Sequence, residues 1–113
     1  MAYRYIPPYQ VLNQTVSGTN PIQSTSLIIR TLPISIFVIA WGAGLNATFQ
    51  ALVSVDGVNF DDLGIPITPA TGAAGRTLVN LGALGGDQVL IQVTPSSGSA
   101  NVTITGSAKS GGA

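Results

Sequence analysis

The sequence predicts an all-β domain, an antiparallel β-sandwich or jelly-roll-like fold of about seven or eight strands with an extended N-terminal arm. Three observations carry this expectation. In the stretch 49–63 (FQALVSVDGVNFDDL), Phe49, Ala51, Val53 and Val55 alternate with Gln50, Leu52 and Ser54, the period of two that a half-buried strand requires. Glycine and proline punctuate the chain at short intervals, with 14 and 7 copies respectively. No stretch shows the 3.6-residue apolar period of a helix.

Taken in order, the first 23 residues have no clean period. Pro7-Pro8 prevents helix and biases Ile6 to an extended backbone. Val11, Leu12 and Val16 suit a short edge strand before the turn Gly18-Thr19-Asn20-Pro21. Residues 24–31 (STSLIIRT) and 34–41 (ISIFVIAW) read as two strands broken at Leu32-Pro33. The second is apolar on both faces, which calls for a central position in a sheet or an oligomer interface. A loop at 42–46 leads into the hairpin of 49–63, whose turn is Asp56-Gly57. Beyond it Val58, Phe60 and Leu63 resume a strand. Residues 64–75 have no helical period and read as a crossover between two sheets. Further strands are expected at 76–81, 87–94 and 100–107, with turns at 82–86 and 95–98. The domain reading is therefore an extended arm over 1–23, a β-sandwich over 24–108 and a loose tail over 109–113.

A chain of 113 residues buries about two thirds of its unfolded surface as one domain. Only 7% of it is charged, and the net charge is zero. Globular domains carry about 25%, and free monomers draw solubility from a net charge away from zero. A surface of Ser, Thr, Asn, Gln and Gly instead suits a protein packed against neighbours. Four scattered cations cannot neutralise a run of phosphates, so neither nucleic acid nor an anionic membrane surface is expected as a partner. The apolar window 27–45 is interrupted by Arg30, Pro33 and the Gly42/Gly44 pair, and its uninterrupted run, Ile34–Trp41, has only eight residues, far below the roughly 20 that span a bilayer. The first ten residues lack the apolar core of a secretory signal. The absence of cysteine agrees with assembly in a reducing cytoplasm.

The candidate chemistry is thin. With no His and no Cys, the commonest general base, thiolate nucleophile and soft metal ligands are missing, and no enzyme activity is expected. Asp61 and Asp62 are adjacent, so on a strand they face opposite ways and cannot converge as an acid/base pair. Asp56, Asn59 and Asp61 lack the spacing of a calcium loop, because Val58 stands where an oxygen ligand belongs. No cofactor and no metal site is expected. The glycine groups are not followed by Lys-Ser/Thr or an amphipathic helix, so they read as turns. Trp41, at the end of an apolar strand, reads as core or interface. Asn13, Asn46 and Asn101 each open an Asn-x-Thr triplet, a glycosylation pattern discounted without a secretory signal.

The segment Phe49-Gln50-Ala51-Leu52-Val53-Ser54-Val55-Asp56-Gly57-Val58-Asn59-Phe60, followed by Asp62-Leu63, resembles a pattern in small β-sandwich structural proteins of tailed bacteriophages. There a strand ends in Ser-x-Asp-Gly, an aromatic follows three residues on, and a Leu closes the next strand. The later strands at 76–81, 89–93 and 101–105 are similar to that family, and Phe60 stands where Trp is commoner. The resemblance implies a virion protein, a head decoration or cement protein bound as a homotrimer to the outside of a capsid and assembled in the bacterial host cytoplasm. Its expected partner is the major capsid protein or another virion protein. Tyr3, Arg4, Tyr5, Ile6 and Tyr9 are the candidate contacts, because tyrosine supplies large amphipathic anchors. Two alternatives stay open: a tail, baseplate or fibre-attachment component, and a carbohydrate-binding β-sandwich module.

Overall fold

Period-two alternation becomes nine antiparallel strands in the computed structural model, which describes residues 5–29, 32, 34–83 and 85–109. The strands are β1 (Tyr5–Ser17), β2 (Ile22–Gln23), β3 (Leu27–Ile28), β4 (Ile34–Trp41), β5 (Leu45–Ser54), β6 (Asp61–Asp62), β7 (Ala70–Thr71), β8 (Gly75–Ala83) and β9 (Gln88–Lys109). No helix occurs among the described residues, and none is long and apolar enough to cross a membrane.

The architecture turns on β9. This strand of 22 residues belongs to both layers of the fold. Its first half pairs with β2, β3 and β5, and its second half pairs with β1 and β4. One layer therefore runs β1-β9-β4-β8, and the other runs β2/β3-β9-β5 with β6 and β7 on the far side of β5. Inward side chains of both layers form one core, with Phe37, Ile39, Leu45, Ile91, Val102 and Ile104 all fully buried. Burying each such side chain contributes about 1.5–3 kcal/mol.

Several expectations change in this setting. The predicted turn at 95–98 is instead a bend inside β9, where the strand passes from one layer to the other. Gly98 makes the bend with φ +78°, and a Cβ there would collide with the Gly44 carbonyl oxygen. Of the strand expected over 24–31, whose last two residues lie outside the described residues, the part described as strand is Leu27–Ile28. Its start is interrupted by Ser24, whose N–H donates to Ile91 O at 2.9 Å while its Oγ accepts from Ile91 N at 3.0 Å. The hairpin of 49–63 is present, but its loop spans residues 55–60, leaving Val55 and Val58 each 78% exposed. Polar capping widens it: Ser54 Oγ accepts from Gly57 N at 2.8 Å, and Asp56 Oδ1 accepts from Val58 N and Asn59 N, both at 2.8 Å.

The N-terminal segment is longer in strand than Val11, Leu12 and Val16 alone suggested. All of Tyr5–Ser17 lies antiparallel along residues 99–109 of β9, with register shifts between Ile6 and Tyr9 and between Gln10 and Leu12. The first of these shifts accommodates Pro7-Pro8, which an edge strand tolerates because the outward N–H is not needed for pairing. β4 takes the central position that its two apolar faces called for, between β9 and β8. Residues 63–74 cross from the β5 layer to the β8 layer, pausing at β7 to pair with β5.

Candidate interaction site

Alternation along β4 divides its side chains cleanly. Ser35, Phe37, Ile39 and Trp41 are buried, while Ile34, Ile36, Val38 and Ala40 are only partly covered on the outer face. Register extends that outer face sideways. Ala40 lies between Arg76 and Thr103, Val38 between Leu78 and Thr105, and Ile36 between Asn80 and Ser107. The result is an apolar column edged by hydroxyls and one amide, with Leu78 61% exposed. Its described charges are at two corners: Arg76 opposite Ala40, and Lys109 opposite Ile34. A cleft of about 230 Å³ opens at the Lys109 end, lined by Ile34, Ile36, Asn80 and Ser107 among others.

All four acidic residues lie with the other layer, Asp61 and Asp62 on β6, Asp56 in the loop before it and Asp87 just before β9. The Asp56 carboxyl is held well below the usual carboxylate range, chiefly by the hydrogen bond from Asn59 N, then by those from Val58 N, Asn59 Nδ2 and Ser54 Oγ. Asp62 accepts from Gln50 Nε2 at 2.9 Å and from Gly64 N at 2.8 Å. Gln50 in turn accepts from Gln92 at 3.3 Å, and Gln92 from Gln23 at 3.0 Å, so a row of side-chain amides crosses this layer's outer surface. Among the described residues no group of three or more His, Cys, Asp or Glu is placed to share a metal ion.

The arm residues separate. Tyr3 and Arg4 lie outside the described residues. Tyr5 is placed by its backbone opposite Lys109. Ile6 is half-buried against the core, and its carbonyl accepts from Ser107 Oγ at 2.9 Å. Tyr9, 42% exposed, presents an aromatic ring at the surface. Trp41 is inside: only 7% exposed, it stacks on Phe49 at 5.1 Å and donates from Nε1 to Ala73 O at 2.9 Å. The surface position that the sequence did not single out is Leu78. Alternation put it opposite Thr77, Val79 and Leu81, but nothing local marks β8 as the rim of a layer.

A second cleft, of about 260 Å³, lies between β8 and the extended segment 65–68 and is lined by Ile65, Pro66, Ile67 and Thr68 on one wall and residues 77–80 on the other. It follows a seam between the two layers. On the opposite side of the molecule the layers are stitched together, since Thr25 N donates to Val11 O at 2.9 Å.

These features define a two-layer, all-β fold with an outer face that carries charge only at two corners among the described residues. No family model matches the chain, and no curated protein matches it by sequence. Solved structures do share the fold. The SPBc2 prophage-derived protein YomS superposes with a TM-score of 0.57 at 10% identity, covering 96% of this chain and 96% of its own. A chain of the infectious bursal disease virus Gx strain structure superposes with a TM-score of 0.52 at 16% identity, covering 95% of this chain and 36% of its own.

Proposed function

We propose that this protein is a structural component of a virion, a head decoration or cement protein of a tailed bacteriophage. It would sit on the outside of the capsid as a homotrimer, bind the major capsid protein, and be assembled in the cytoplasm of the bacterial host. The observation that carries the reading is the outer face of the β1-β9-β4-β8 layer. There Ile34, Ile36, Val38 and Leu78 remain accessible with no acidic residue beside them. A partly exposed apolar column rimmed by hydroxyls suits docking on another protein surface. The prophage origin of YomS and the viral origin of the second neighbour support the same reading at the level of fold. Each contact is small, and repetition over many copies reinforces a shell by mass action.

The test is binding of the purified chain to shells assembled without it, with electron microscopy of particles labelled on this protein. Label over the head, together with loss of shell binding in Ile36→Lys and weakening in Tyr9→Ala, is the expected result. Label confined to the tail would overturn the decoration role, and particles free of label would overturn the virion assignment.

A further inference from the structure

Backbone hydrogen bonding leaves β8 as an open edge. Its inner side pairs with β4, in unbroken register from Gly75 to Asn80. On its other side no backbone group of β8 bonds to any described residue, apart from Gly82 N, which binds the side chain of Asn80 at 3.0 Å. The layer's other rim, β1, is broken by two register shifts and two prolines and is tied to Thr25 through Val11 O. The rim strands β2, β3, β6 and β7 are two residues each. Proteins normally guard a long edge with charge, proline or bulges, because an unguarded one templates pairing with another strand. β8 has one charge, no proline, and a single register shift near its C-terminal end.

We propose that β8 pairs antiparallel with β8 of a second copy of this chain, about a two-fold axis at Leu78. Strand chemistry asks for an extended backbone as occupant, and this register makes the edge complementary to itself. Arg76, Leu78 and Asn80 all face the outer surface and are exposed. Centring on Leu78 sets the two most accessible apolar side chains of the layer against each other. It sets each Arg76 guanidinium opposite an Asn80 amide of the other copy, whose oxygen accepts. The two guanidiniums are then about 13 Å apart along the ladder, beyond the screening length of roughly 8 Å. With zero net charge, the copies meet no long-range repulsion. The alternate residues, Thr77 and Val79 of the second copy, come over the seam lined by Ile65 and Ile67. Pairing thus closes both seams at once and joins two apolar columns into one face. A two-fold contact of this kind links copies of neighbouring trimers rather than copies within one, and it stands without any assumption about the shell.

The chain has no cysteine, so single cysteines report the register. Directly opposed residues have Cα atoms about 4.5–5.5 Å apart, inside the range a disulfide bridges. Under mild oxidation Leu78→Cys is expected to give a covalent dimer about ten-fold faster, or more, than the loop control Val58→Cys. Arg76→Cys and Asn80→Cys are expected to stay uncrosslinked alone and to form the mixed dimer when combined. Native Trp41 emission confirms folding of each variant before oxidation. Equal rates for Leu78→Cys and Val58→Cys would overturn the pairing, as would self-linking of Arg76→Cys as fast as the mixture. Because the isolated chain is used, that failure leaves the virion assignment standing, while unlabelled particles leave the pairing standing.

Discussion

An alanine at Gly98 has neither the backbone nor the room it needs. Gly98 sits at φ +78°, a conformation that costs a residue with a Cβ about 1–2 kcal/mol. Its Cβ would run into the Gly44 carbonyl oxygen, a backbone atom that cannot rotate away. Relief requires a backbone shift at the corner where β9 changes layers, typically about 1–3 kcal/mol. It also strains the Ser99 N to Gly44 O hydrogen bond of 3.2 Å, worth about 1 kcal/mol. Together these put Gly98→Ala at about 3–6 kcal/mol. Gly18 and Gly64 share the conformation, at φ +79° and +72°, but nothing lies within 4 Å of a Cβ at either. Alanine there should cost only the conformational part, about 1–2 kcal/mol. At about 4 °C per kcal/mol for a domain of this size, Gly98→Ala should melt about 12 °C or more below wild type, and the controls about 4–8 °C below. Urea and thermal unfolding followed by Trp41 emission measure all three. A Gly98→Ala variant as stable as Gly18→Ala would refute the continuous β9 crossing.

Two further substitutions test the interior and the loop. Ser35 is fully buried and its Oγ has no hydrogen-bond partner among the described residues, so Ser35→Ala removes an unpaired hydroxyl and should raise stability by about 1 kcal/mol; a fall in urea midpoint would contradict the placement. Asp56 releases its proton more readily folded than unfolded. Its stabilising effect is therefore present above about pH 4, the ordinary carboxylate value, and is lost as pH falls toward the folded value. Asp56→Ala should lower stability at neutral pH, with the gap to wild type narrowing in acid; a gap constant from pH 7 to pH 2.5 would count against the hydrogen-bonded loop.

Much of the local structure was legible because strands advertise themselves through alternation. β4, β8 and both halves of β9 fall close to where the period of two put them, β5 starts at Leu45 inside the loop expected over 42–46, and the apolar faces of β4 pointed to a central strand or an oligomer interface. The candidate site was legible only in part. Ile34, Ile36 and Val38 stood out as a second apolar face, but whether that face met a neighbour or solvent depended on what lay across it. Nor could the sequence rank the arm residues, since Ile6 and Tyr9 differ in exposure across the register shift that contains Pro7-Pro8, which exists only in this pairing.

By itself, then, the order of residues determined that the chain forms strands, which side chains share a face, and where glycine or a capped aspartate must bend it. Those are nearest-neighbour properties, settled by Cβ alternation and by the φ values a residue tolerates. Only the tertiary structure decided that residues 88–109 form one strand serving both layers, that β1 lies sealed against it, and that β8 is left as an open rim. Pairing partners are chosen by contacts between residues far apart in the chain, such as Val38 with Leu78 and Thr105, and no local pattern encodes which strand remains without one.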